Sequence, residues 1–261
     1  MSSAQASKNR ISAKAGSFTE SVIREMSREA VKYGAVNLGQ GFPDFGWPQA
    51  LLDKAADAVR TQSNQYPPMR GLPELRAQVA AHYRRVQGLD IDVDQVTITS
   101  GATEALADAI MALVQPGDEV ALFQPLYDAY LPLVLRAGGI PRFVRLSPPD
   151  WRMTEAGLAE VFSDRTRLVV LNNPHNPSSR MFGEDELALL AEKCVQHNVS
   201  AISDEVWEHV VFDRRTHVPL AALPGMAERT VKVGSAGKIF SLTGWKVGWL
   251  VAPPELAATL A

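Results

Sequence analysis

Thr230-Val231-Lys232-Val233-Gly234-Ser235-Ala236-Gly237-Lys238 reads as a short apolar strand that ends in serine and delivers a lysine beside glycine. Eight residues after Lys238, Lys246 sits inside Thr243-Gly244-Trp245-Lys246-Val247-Gly248-Trp249, ahead of a second apolar run at 246–252. Short apolar runs bounded by glycine, serine or proline are strand signals. Five more precede these, at 96–99, 119–123, 141–146, 167–171 and 199–203. Helical patterns near 102–114, 126–137, 155–162 and 184–197 separate the first five runs. Such alternation predicts an α/β fold: a mostly parallel seven-stranded sheet with helices on both faces.

Three helices are expected upstream. Ser17 and Glu20 form a capping-box pattern, with Phe18, Val22, Met26 and Ala30 along one face. Pro48 opens a second helix and Pro73 a third, which runs through Leu75, Val79, Tyr83 and Val86 to Gly88. Between the first two, Asn37 to Phe45 is rich in glycine and aromatic residues and reads as a loop that wraps something. The expected organisation is a disordered tail over 1–16, an N-terminal segment over 17–47, and a large domain over 48–261.

The chain has 261 residues, 46% of them hydrophobic, with a net charge of −3. That composition is globular, and it implies neither a nucleic-acid surface nor a basic membrane-binding face. No apolar run approaches the roughly 18 residues of a membrane span. Cys194 is the single cysteine, so no intramolecular disulfide forms, which fits a cytoplasmic setting.

Polar residues follow four of the strand candidates. They are Ser100-Gly101-Ala102-Thr103, Asn172-Asn173-Pro174, Asp204-Glu205 and Ser235 to Lys238. Open α/β sheets bind ligands at the carboxyl ends of their strands, so the four clusters are expected to share one edge. Simpler phosphate loops fail on spacing. Lys232 stands where a nucleotide loop needs its first glycine, and Gly39-Gln40-Gly41 lacks the third glycine of a dinucleotide site. A lysine amine, a second cation near a helix start and a buried carboxylate are what pyridoxal 5′-phosphate requires. The amine takes its aldehyde, the cation and N–H groups its phosphate, and the carboxylate its ring nitrogen.

The segments Thr99 to Leu106, Asn172 to Pro177, Ser203 to Val206 and Ser235 to Gly248 resemble the pyridoxal-phosphate-dependent class I aminotransferases of fold type I. Gly39 to Phe45 and Asn64-Gln65-Tyr66 make the chain most similar to the methionine and kynurenine (glutamine) aminotransferases. The resemblance implies a Schiff-base lysine at Lys238 and Asp204 on the pyridine nitrogen. It implies Asn176 on the ring hydroxyl and near substrate, and Tyr127 stacked on the ring. Ala102, Thr103, Ser235 and Lys246 would hold the phosphate. Tyr66 would reach the phosphate of the other subunit of a homodimer, and Gly39 would lie beside the substrate, an amino acid exchanging with a 2-oxo acid.

Two departures stand out. Trp207 occupies the position of a family tyrosine and offers an N–H in place of a hydroxyl. The family continues past residue 261, where the rest of the small domain and a carboxylate-gripping arginine are expected. The residues leave open a cysteine-conjugate β-lyase and a non-catalytic binding protein of the same fold. No metal is expected, since Glu205 and His209, four apart on a supposed helix face, lack a third ligand.

Overall fold

The strands alternate their side chains between two cores. In the computed structural model, which describes residues 20–41 and 43–260, β4 (Thr166–Asn172) sends Leu168 and Val170 to one face and Val169 and Leu171 to the other. All four are buried, as expected of a strand covered on both sides. The same split runs through β2 (Glu119–Gln124) and β5 (Ser200–Asp204). One core packs beneath α4 (Ala102–Leu113) and α5 (Tyr130–Ala137). The other packs beneath α6 (Glu155–Ala159) and α7 (Glu184–Gln196).

Among the described residues the sheet has seven strands in the order β1-β7-β6-β5-β4-β2-β3. The remaining members are β1 (Val96–Thr99), β3 (Ile140–Arg145), β6 (Thr230–Ser235) and β7 (Gly248–Val251). Only β7 runs against its neighbours, β1 and β6. The carboxyl ends of β1, β4, β5 and β6 therefore lie along one edge, and β7 begins there. Gly248 pairs with both Thr99 and Ser235, and Asn172 pairs with Asp204.

The chain divides into two compact units, residues 1–42 and 43–261. The first contains α1 (Val22–Tyr33), which stops at Gly34 in the left-handed conformation, φ 60°. In the second, α2 (Gln49–Thr61) and α3 (Pro73–Gln87) precede the sheet. Tyr83 of α3 is buried against Val96 and Trp249. The Ser17–Phe18 part of the first capping box and the tail over 1–16 lie outside the described residues.

Four boundaries differ from expectation by more than one residue. The first helix begins at Val22 after Ser21, so Glu20 lies before it rather than at the third position of a capping box. The helix sought at 126–137 begins at Tyr130, because residues after Pro125 form a turn first. The helix sought at 155–162 ends at Ala159, where bonds from Val161 and Phe162 back to Leu158 tighten the chain into turns. The last strand starts at Gly248 rather than 246, because Lys246 is left-handed, φ 56° and ψ 43°. No helix of the described residues is long and apolar enough to cross a membrane.

Candidate active site

Asp204 closes β5 at 3% exposure. Its backbone carbonyl accepts bonds from Asn172 Nδ2 (2.9 Å) and the Asn173 N–H (3.0 Å), which fix the strand end. Its carboxylate takes a bond from the Tyr130 hydroxyl at 2.6 Å and one from the Val206 N–H at 3.3 Å. Burial pushes this carboxyl up to about 6, with the Glu205 charge adding to it. The Tyr130 and Val206 bonds and the Lys238 charge pull the other way.

Lys238 lies in α8 (Ala236–Ile239), the short turn after β6. It is half-buried, and burial lowers its pKa; nearby Lys246 lowers it further while Asp204 opposes. Lys238 and Asp204 thus feel one another across the edge, although they come from different strands. Lys238 Nζ also sits over the Trp207 ring, 4.7 Å from its centroid. That is cation–π range, roughly 0.5–2 kcal/mol of attraction for a charged amine.

A place for an anion forms next door. No side chain caps the first turn of α4, whose N-cap is Gly101, so its leading N–H groups are open to a negative group. Gly101 has φ 80°, and a Cβ there would stand 4.0 Å from Lys246 Cδ. Lys246 therefore runs beside the helix start. Its left-handed backbone costs a non-glycine residue roughly 1–2 kcal/mol. Gly248 permits the approach: a Cβ on it would lie 2.5 Å from Gly101 C and 2.6 Å from the Ala102 nitrogen. Ser235, buried at the end of β6, pairs with this same glycine.

Of the residues expected at the site, Asp204, Lys238, Lys246, Trp207, Ser235, Ala102 and Thr103 come to this one edge. Tyr127 is half-buried and meets Tyr130 edge-on, centroids 5.5 Å apart. The backbone N–H of Asn176 bonds Asn172 Oδ1 at 2.6 Å, which ties its loop to the end of β4. Tyr66 stands apart at 99% exposure. Gly39 belongs to the first unit, where its N–H bonds Asn37 Oδ1 at 3.0 Å. Trp47 Nε1 donates to the Ser241 carbonyl at 2.5 Å, which sets an aromatic side chain beside the loop that follows Lys238.

Sequence reasoning missed Tyr130, the hydroxyl on Asp204. Its one signal was its position three residues after Tyr127, and an aromatic there reads first as core. The proposed sharing of a helix face by Glu205 and His209 is corrected: residues 205–209 form a turn. Glu205 faces the other side of the sheet, bonded by Lys232 and, at 2.7 Å, facing His217 Nε2.

The arrangement defines a class of protein. A parallel sheet presents a buried carboxylate, an amine of lowered pKa and an anion cradle at one edge, which suits an aromatic, phosphorylated aldehyde. Comparison with known proteins agrees. Residues 33–261 match the family model described as aminotransferase class I and II, and the chain belongs to that family. It is 46% identical to the probable N-succinyldiaminopimelate aminotransferase of Mycobacterium tuberculosis, over 92% of this chain and 62% of that protein. It is 42% identical to kynurenine–oxoglutarate transaminase 1 of Rattus norvegicus, over 89% and 58%. A solved structure from Escherichia coli, reported with a methionine aminotransferase function, superposes with a TM-score of 0.92 at 42% identity, covering 96% of this chain and 66% of its own. The chain thus spans about 60% of the length of these curated relatives. Its α/β architecture is that of the fold type I aminotransferases.

Proposed function

We propose that the protein transfers an amino group between an amino acid and a 2-oxo acid, with pyridoxal 5′-phosphate held at the strand edge just described. One observation carries this reading. Lys238 and Asp204, from separate strands, shift in the directions the chemistry needs: an amine made easier to deprotonate and a desolvated carboxylate that gains by meeting a cation.

The residues fit the group. Asp204, steadied by Tyr130, would pair with a protonated ring nitrogen. Tyr127 would lie on the ring face, and Asn176, with the Trp207 indole N–H, would serve the ring oxygen. The α4 N–H groups at Ala102 and Thr103, with Ser235 and Lys246, would hold the phosphate. The bound cofactor supplies an electron sink for the pair left when the substrate Cα–H bond breaks. Lys238 would hold the cofactor's aldehyde through Nζ, and the same amine, left free when substrate takes its place, would accept the Cα proton and return it. Such a placed base is worth about 10²–10⁴-fold in rate.

Relatives named for methionine and kynurenine support a methionine or aromatic donor, with glutamine the further candidate of the sequence resemblance, and Phe45 and Trp47 supply apolar surface for it. The 99% exposure of Tyr66 fits a role in a partner subunit of a homodimer. The single free cysteine, Cys194, suits a reducing cytoplasm.

The test is direct. Protein loaded with pyridoxal phosphate should be yellow, should bleach on adding methionine, and should yield the matching 2-oxo acid in equal amount. Pyruvate and ammonia from a cysteine conjugate, without oxo acid from methionine, would instead assign a β-lyase. Colour that persists with every amino acid would assign a binding protein.

A further inference from the structure

Behind Asp204, on the opposite face of the sheet, lies a buried ionic cluster. Lys232, in the middle of β6, is 1% exposed. Its ammonium is bonded by Glu205 and, at 2.7 Å, by Glu208, and it sits 4.6 Å from the Tyr83 ring centroid. Glu205 also accepts from Ser203 Oγ (2.7 Å) and the Leu220 N–H (3.3 Å) and faces His217 Nε2 (2.7 Å). Glu208 accepts from the Tyr83 hydroxyl (3.2 Å) and from Gln87 (2.6 Å), with His82 and His209 close by. On the crevice side Asp204 faces Tyr130 and Lys238.

Two carboxylates share one ammonium, His217 faces Glu205, and the Glu205 charge still acts on its neighbour. Asp204 is the residue immediately before Glu205. It must ionise beside that charge, in surroundings too dry to screen it. Without Lys232, both glutamates would oppose it. Lys232 lies one strand away from the carboxylate: Ser203 pairs with Lys232 and Asp204 with Val233.

We propose that Lys232 is a positioning residue for the cofactor's ring nitrogen. Its ammonium balances Glu205 and Glu208 so that Asp204 can carry the charge that pairs with a pyridinium. This rests on the functional reading above and goes beyond it, because none of these three residues touches the crevice.

The test compares binding of two probes: pyridoxal phosphate and an analogue whose ring nitrogen is replaced by carbon. Dissociation constants are read from tryptophan fluorescence, and circular dichroism checks folding. Lys232→Met should weaken pyridoxal phosphate about tenfold, one pKa unit of Asp204, and leave the analogue unchanged. Glu205→Gln should move the ratio of the two constants the opposite way, and the double variant should return it to the parent value. The sign of the Glu205→Gln effect decides the matter even if Lys232→Met fails to fold. Equal losses for both probes, or a ratio that Glu205→Gln leaves unmoved, would overturn the inference while leaving the functional reading intact. A parent protein that binds neither probe would overturn the functional reading, and this inference with it.

Discussion

Asp204 and Glu205 are consecutive, both are buried, and their acidities move apart. Asp204 is raised to about 6 and Glu205 lowered to about 2. Burial pushes each upward. At Glu205 the charge of Lys232 and the bond from His217 overcome it; at Asp204 a phenol, an amide N–H and a more distant lysine do not. The strand pleat sends the two to opposite faces, one toward Tyr130 and the crevice, the other toward Lys232. The face that holds the fold together sets Lys232 and His217 against Glu205. The face that works leaves a carboxylate short of a cation and an amine made easier to deprotonate. A site waiting for a cationic ring has that character.

This contrast can be broken from either side. The largest effect is expected from Lys238→Ala, which removes both base and cofactor link. Turnover should fall by more than about 10⁴-fold, measured as oxo acid formed from methionine. Near-parental turnover would remove the crevice from the chemistry altogether.

Asp204→Asn comes next. Leaving a buried ring cation unpaired costs about 3–5 kcal/mol, so turnover should drop by about 10²–10⁴-fold. Stability should move the other way. A carboxyl raised from 3.8 to about 6 favours the fold fully below pH 3.8 and loses that contribution as pH rises through 6. The cofactor-free variant should therefore melt no lower than the parent above pH 6. A clear loss of melting temperature at pH 8 would mean that Asp204 belongs with the structural charges.

Glu205→Gln tests the reverse side. Glu205 is lowered from 4.5 to about 2, so its contribution is present above pH 4.5 and lost as pH falls through 2. The variant should lose about 1–3 kcal/mol at pH 7 and match the parent near pH 2, by denaturant unfolding across pH. A constant deficit at every pH would point to packing rather than charge.

Gly248→Ala should separate β7 from the start of α4, since the added carbon has backbone within 2.6 Å. Affinity for pyridoxal phosphate should fall about tenfold or more, roughly one lost phosphate hydrogen bond to a charged group. An unchanged dissociation constant would relocate the phosphate. The smallest effect is expected from Trp207→Tyr, which restores a hydroxyl and should keep or raise activity. A large loss would show that the indole beneath Lys238 has a task of its own.

Much of this was legible in the residues. Apolar runs of strand length, split by helical periodicity, identify a mostly parallel sheet because local pattern and layer packing agree. Glycine, serine, asparagine and aspartate at the ends of those runs mark the binding edge, because strands of one direction bring their ends together. The start of α5 was misread, since an apolar period looks the same in a turn as in a helix. Tyr130 was invisible because an aromatic at a helix start reads as core.

The partners of the buried charges could not be read from the chain at all. Lys232 looks like an interruption in an apolar strand, and Glu205 like an extra acid in a turn. Sequence order sets which way each points along its own strand. Whether a counter-ion stands there depends on which strand lies alongside, and β5 meets β6 only after the chain has travelled from 204 to 230. Coulomb energy in a dry interior is settled over a few ångströms, a distance that only the folded sheet defines.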